Sequence, residues 1–152
     1  AVAFQAGQIA HCIDAWKEIT MDLEILTSVS GEIIPFSTIP LQGNVPFQPV
    51  WKGPKCNFID NEILSLLNKG VIIPSQHKPG EFISPIFLCD KRGSSFRMIL
   101  NLKTLNEHVQ YHHFKMETVE TVASMMTLGC FMASIDLKDA YYCVPVSKKH
   151  QK

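Results

Sequence analysis

Between Gly7 and Thr20 the apolar residues Ile9, Ile13, Trp16 and Ile19 recur at spacings of four, three and three, which lines them along one face of a helix. A second helical segment, Asp22 to Ser30, offers Leu23, Ile25 and Leu26 for burial, and Gly31 supplies its stop signal. Glu32-Ile33-Ile34-Pro35-Phe36 then reads as an extended strand closed by proline. From Phe36 onward Pro40, Pro46, Pro49 and Pro54 interrupt any regular element, so this stretch is expected to run extended over a surface as a linker or strap. In residues 58–69 the apolar set Ile59, Ile63, Leu66 and Leu67 predicts a helix, with Asn57 or Asp60 as its cap and Gly70 just past its end.

Val71-Ile72-Ile73 exits into Pro74, and Pro79-Gly80 marks a further loop. Two extended runs follow, residues 82–89 and 96–100, separated by the polar turn Asp90-Lys91-Arg92-Gly93-Ser94-Ser95. They predict a β-hairpin with a basic tip. Residues 101–106 are expected as an irregular turn. Glu117 to Met126 reads as a helix with Val119, Val122, Ala123 and Met126 inward, and Gly129 to Asp136 as a buried strand. Helices and strands are mixed without the regular alternation of a doubly wound sheet, so the fold class expected is α+β.

Composition narrows the picture only in part. A chain of 152 residues with 46% hydrophobic content is of single-domain size and has enough apolar residues for a core. Fourteen basic and fourteen acidic residues cancel, so any affinity for nucleic acid must come from a local cluster and not from bulk charge. The five cysteines are odd in number and contain no C-x-x-C, which favours reduced, buried thiols in an intracellular protein, cytoplasmic or nuclear. No apolar run approaches the ~20 residues that span a bilayer, so no membrane association is expected. The chain opens on Ala1 and closes on Lys149-His150-Gln151-Lys152 without a finishing element, and truncation at both ends is expected.

Candidate chemistry gathers around SIDLKDAYY, residues 134–142. A carboxylate at the end of a buried strand is a common way to hold a hard cation, because rigid backbone fixes the ligand where the strand opens to water, and Asp136 has that position. Asp139 lies three residues on, an odd separation that a continuing strand would turn to the opposite face. It either joins Asp136 through a turn or caps a short helical turn starting at Ala140. Taken without context, Tyr141 and Tyr142 read first as core aromatics under a loop. Lys91, Arg92 and Arg97 form a plausible polyphosphate clamp, although hairpin tips are also basic for solubility alone. His108, His112 and His113 carry only a weak zinc signal, without a matching Cys or Glu pattern.

FISPIFLCDKRGSSFRMILNLKTLN (residues 82–106), followed after a helix by MASIDLKDAYYCVPV (residues 132–146), resembles the fingers and first palm motif of a reverse transcriptase. With HFKMETV (residues 113–119) and the upstream AWKEIT, the resemblance narrows to the polymerase of DIRS-like, tyrosine-recombinase-bearing retroelements, and it covers nearly the whole chain. It implies an incomplete right-hand polymerase: an N-terminal helical segment and linker (1–50), fingers (51–130) and the start of the palm with the first catalytic motif (131–152). The implied activity is RNA-directed DNA synthesis by two-metal nucleotidyl transfer. The partners would be an RNA or DNA template-primer and deoxynucleoside triphosphates, and the cofactor Mg2+.

By the same resemblance, Asp136 is the catalytic carboxylate shared by two magnesium ions, and the carbonyl of Leu137 helps to ligate one of them. The amides near Asp139 and Ala140 cradle the triphosphate, and Tyr141 stands under the incoming sugar as the gate that excludes a 2′ hydroxyl. Lys91 or Arg92 reaches the terminal phosphates and Arg97 the α-phosphate. The second catalytic element of such enzymes, a Tyr-x-Asp-Asp hairpin, does not occur in these 152 residues, and neither do a primer grip, a thumb or an RNase H domain. One carboxylate does not hold two magnesium ions about 4 Å apart, so the chain is expected to be inactive alone. The alternative is a non-catalytic nucleic-acid-binding module or a decayed retroelement relic.

Overall fold

The computed structural model describes residues 3–91 and 95–151. The first helical region begins as a 3₁₀ turn, Gln8–Cys12, and continues as α1, Ile13–Ile19. Ile9, Ile13 and Trp16 are half-buried on its inner face, while Ile19 at its end is exposed. Helix α2, Leu23–Gly31, starts where the Asp22 carboxylate accepts hydrogen bonds from the amides of Glu24 and Ile25. This satisfies two donors that have no partner within the helix and sets a negative charge at its positive end. The inward residues of α2 are Leu26 and Val29, and the expected Leu23 and Ile25 face solvent. A helix this short buries one narrow stripe, and residues three apart share it.

Helix α3, Pro54–Asn68, begins earlier than the periodicity of its apolar residues indicates. Gly53 takes the N-cap position in place of Asn57 or Asp60, and the proline that closes the strap is the first residue of the helix. There its missing N–H breaks no hydrogen bond and its fixed φ suits the helix. At the other end the Gly70 amide donates to the Leu67 carbonyl (3.0 Å) and the Val71 amide to the Leu66 carbonyl (2.9 Å). These two bonds make a Schellman motif, and Gly70 takes the left-handed conformation it requires, with φ 69°.

The hairpin forms with shifted bounds: residues 82–85 are outside the sheet, and Asp90, Lys91 and Ser95, expected in the turn, are paired in the strands. Strand β1, Ile86–Lys91, pairs antiparallel with β2, Ser95–Leu100, in a register running from Ile86 opposite Leu100 to Lys91 opposite Ser95. Phe96 of β2 meets Phe58 of α3 edge to face with ring centroids 5.6 Å apart, and Lys55 lies over the same Phe96 ring. The strap forms no regular element, and glutamine side chains tie it to the chain before and at the start of β1. Gln42 both accepts from the Ile83 amide and donates to the Ile83 carbonyl, each at 2.9 Å, while Gln48 accepts from the Ile86 amide. Ile39, Leu41, Val45, Phe47 and Val50 face solvent.

Several expected elements are smaller or do not form. Glu32 to Phe36 makes only two isolated bridges, Glu32 with Val146 and Phe36 with Val109. Residues 101–106 contain one helical turn, α4, Lys103–Asn106, and α5 spans Val119–Met125 with Thr118 as its cap. The face of α5 expected inward is open: Val119 is 82% exposed, and Val122 and Met126 are also exposed. The buried strand expected over 129–136 is neither buried nor a strand, and Phe131, Met132 and Ile135 stand in solvent. A strand exists by pairing, and among the described residues β1 and β2 pair only with each other.

The result is an α+β arrangement of helices and a two-stranded sheet with a small core. Among the described residues only Val29, Ile59 and Leu66 are buried hydrophobics. The accessible surface is 12944 Å²; a compact monomer of 17.1 kDa exposes about 7,800 Å². Among the described residues no helix is long and apolar enough to cross a membrane. Gly70→Ala should lower stability by about 1 kcal/mol, because an L-residue is strained in the left-handed turn and its Cβ would press on the Gln5 side chain; a shift in the urea midpoint at unchanged slope reads this out.

Candidate functional site

Two groups of the expected residues are assembled by the fold, and a third residue stands apart. The first group lies on the hairpin. Side chains alternate between faces along a strand, so the register puts Lys91, Cys89 and Phe87 on one face with Ser95, Arg97 and Ile99. Phe96, on the opposite face, is the side that packs against α3. Lys91 and Arg97 are therefore diagonal neighbours on the outward face, with Cα atoms roughly 7–8 Å apart by sheet geometry, and both are exposed. Arg92 lies outside the described residues.

The second group is the turn at 139–143. A 3₁₀ turn, Ala140–Tyr142, starts where expected, with Asp139 at its N-cap position, but the Asp139 side chain makes no capping bond. It reaches instead to Lys69 at the end of α3, Oδ2 to Nζ 3.0 Å, with the lysine 30% and the aspartate 17% exposed. Asp139 has φ 57°, the one positive φ outside glycine among the described residues. That conformation costs an aspartate about 1 kcal/mol, and an ion pair of this exposure contributes the same order. Strain and attraction are matched in size. The Asp139 carbonyl accepts from the Tyr142 amide, and the Ala140 carbonyl from that of Cys143.

The turn is further tied to the N-terminal region, since Gly7 donates to the Tyr142 carbonyl (2.8 Å) and Ile9 to the Cys143 carbonyl (3.3 Å). Among the described residues the N–H groups of Asp139 and Ala140 donate to no protein acceptor. Tyr141 is 97% exposed and Tyr142 is exposed at its edge, so neither is a core aromatic. Lys138, Asp139 and Lys69 line a cleft of about 650 Å³ with Asn61, Ser65 and Asn68 of α3. A second hollow, about 520 Å³, is walled by Phe36, Phe82, Leu105 and His150, and none of the expected site residues lines it.

Asp136 stands apart. It lies in the unpaired run before the turn, exposed like its neighbour Leu137, and among the described residues no hydrogen bond or ion pair joins it to the hairpin or the turn. Asp139 is committed to Lys69 and brings it no second carboxylate. Among the described residues no three His, Cys, Asp or Glu side chains converge in a way that could hold a metal ion. A magnesium ion takes six oxygen ligands in near-octahedral geometry, so the residues present do not by themselves make its site. His108 meets the Thr38 hydroxyl at 2.8 Å and the Phe82 ring edge to face, and the exposed His113 meets Tyr111.

Lys69 and Gln42 carry structure that single-residue reasoning misses. Lys69 sits in a helix-stop signal, where a basic residue suits the helix end without any further role, and its partner is seventy residues away. The five thiols are free, but none is buried as expected: Cys12, Cys89 and Cys130 are exposed and Cys56 and Cys143 half-buried, because the small core does not reach them. The Cys56 thiol is made less acidic: the negative charge of Asp60 one helical turn on, then burial, then the Sγ to Oδ2 hydrogen bond of 3.6 Å, all raise its pKa.

The features so far define an α+β chain with a cationic hairpin and an aspartate-led turn. No protein-family model matches it. The chain is similar to the retrovirus-related Pol polyprotein from transposon gypsy of Drosophila melanogaster, 26% identical over 130 residues, with 76% of this chain and 12% of that polyprotein covered. It thus spans about one eighth of the length of the curated relative, and the likeness is that of a retroelement-related protein.

Because the thiolate is the species that alkylates and a raised pKa lowers the thiolate fraction of Cys56, Asp60→Asn should speed its reaction with iodoacetamide severalfold. Peptide mapping by mass spectrometry, with exposed Cys12 as the internal reference, measures the change.

Proposed function

We propose that this chain is the fingers (51–130) and the start of the palm (131–152) of a retroelement reverse transcriptase of the DIRS-like kind, preceded by a helical segment and linker (1–50). The observation that carries the reading is the outward face shared by Lys91 and Arg97 on a hairpin whose other face is anchored to α3, in a chain with a distant likeness to a retrotransposon Pol polyprotein. A guanidinium fork and an ammonium point charge at diagonal positions suit a polyphosphate. In this reading Lys91 and Arg92 meet the terminal phosphates of a deoxynucleoside triphosphate and Arg97 its α-phosphate.

The turn supports the same reading. The free N–H groups of Asp139 and Ala140 are donors suited to an anion, and the solvent-facing ring of Tyr141 is available to stand under a sugar. Asp136, with the carbonyl of Leu137, would supply ligands to Mg2+; among the described residues no group of three His, Cys, Asp or Glu side chains completes such a site, so no reaction step is assigned to it alone. The apolar run 130–137 has the composition of a sheet strand without its partner, and the rest of a polymerase would provide one.

A second reading rests on the contrast within the site: the cationic face is present while the carboxylate set is not. It makes the chain a nucleic-acid-binding module, or a relic of the element, that binds template-primer without copying it. Two measurements separate the outcomes. Replacing Lys91, Arg92 and Arg97 together by alanine should weaken binding of a primed RNA–DNA template and reduce the slope of log K against log salt by about 0.9 for each phosphate no longer neutralised; an unchanged slope removes the clamp. In primer extension with magnesium the isolated chain should incorporate no nucleotide above the level of an Asp136→Asn control, and incorporation well above it would show that the chain is catalytically sufficient.

A further inference from the structure

The geometry points to Lys69 as a positioning residue for the turn at 139–143, and this rests on the reading of that turn as a nucleotide-facing element. Nothing in the spacing of the reverse-transcriptase-like motifs involves Lys69, which lies at the far end of α3.

Its backbone is held from three directions. The Lys69 amide donates to the Ser65 carbonyl, its carbonyl accepts from the Ala6 amide at 2.7 Å, and the Schellman bonds of Gly70 and Val71 fix the chain just beyond it. The ammonium therefore projects from a rigid base. It meets the Asp139 carboxylate at 3.0 Å in a largely covered position, where the pair is screened less than a surface pair.

Asp139 is where the chain adopts its left-handed kink. At the kink the N–H groups of Asp139 and Ala140 have no acceptor among the described residues, and Tyr141 just after it stands in solvent. Without its partner the carboxylate would sit mostly covered and uncompensated, next to a strained backbone. Relaxation of φ would then swing both amides and the Tyr141 ring. The lysine holds the aspartate, and the aspartate holds the donors. Tyr142 and Cys143 stay anchored to Gly7 and Ile9, so the change would be confined to residues 138–142.

The test uses the full 152-residue chain as Lys69→Met, Lys69→Arg and Asp139→Asn, with amide hydrogen exchange mapped by residue and titration with magnesium-free dTTP as the ligand probe. Lys69→Met and Asp139→Asn should speed exchange at Tyr142, whose amide donates to the Asp139 carbonyl, by about tenfold, while amides within α3 keep their protection. Lys69→Arg should restore slow exchange, which general loss of packing would not allow. Affinity for dTTP should fall in the two variants that lose the pair and recover in Lys69→Arg. Unchanged exchange at Tyr142 in both Lys69→Met and Asp139→Asn overturns the positioning role. Faster exchange with dTTP affinity alike in all four chains, or absent in all four, upholds the positioning of the turn and overturns its reading as a nucleotide site. Should Lys69→Met fail to fold, Asp139→Asn decides, because asparagine tolerates the left-handed conformation.

Discussion

The end of α3 is the joint on which the rest of the arrangement depends. A helix finishes with carbonyls that no residue of the helix can satisfy, and here Gly70 turns the chain left-handed so that its own amide and that of Val71 take two of them. That leaves the Lys69 carbonyl pointing at the N-terminal segment, where Ala6 donates to it, and the Lys69 ammonium pointing at Asp139. Three parts of the chain, residues 6, 69 and 139, meet at one helix terminus. The buried side chains Ile59 and Leu66 lie on the helix that leads there, so the joint is backed by most of the small core.

From this joint the chain divides its work by face. The inward face of the hairpin is aromatic, Phe96 against Phe58, and the outward face is cationic. Pleating makes this division automatic once the register is set, since neighbouring residues cannot point the same way. Glutamine side chains hold the chain at and just before the start of β1. Gln48 accepts from the Ile86 amide at the first residue of the strand, and three residues earlier Gln42 gives one hydrogen bond to Ile83 and takes one from it.

The same fold leaves much apolar surface in water. The strap residues, the face of α5 and the run from Phe131 to Leu137 are all exposed, and the accessible area exceeds the compact value by about two thirds. Contiguous apolar exposure on this scale marks surfaces built to be covered. The run at 130–137 also carries Asp136, so whatever covers it would decide where that carboxylate points. The turn just after it does not share this freedom, being tied to α3 and to Gly7 and Ile9.

Local chemistry wrote a good part of this into the chain. The hairpin and the alternation that sets Lys91 and Arg97 on one face are legible from residues 86–100, because pleating acts over a few positions. The Gly70 stop, the strap and the first helical face are legible for the same reason. Periodicity does not tell whether an apolar face will find a partner, so it placed Val119, Val122 and Ile135 in a core that does not enclose them. It likewise placed the start of α3 at the first apolar turn, when a proline at the helix entrance set it earlier. Only the tertiary structure joined Lys69 to Asp139 and Gln42 to Ile83, pairs separated by seventy and forty-one residues. Such pairs depend on where whole elements come to rest, and a pattern read along the chain contains distances in sequence but not in space.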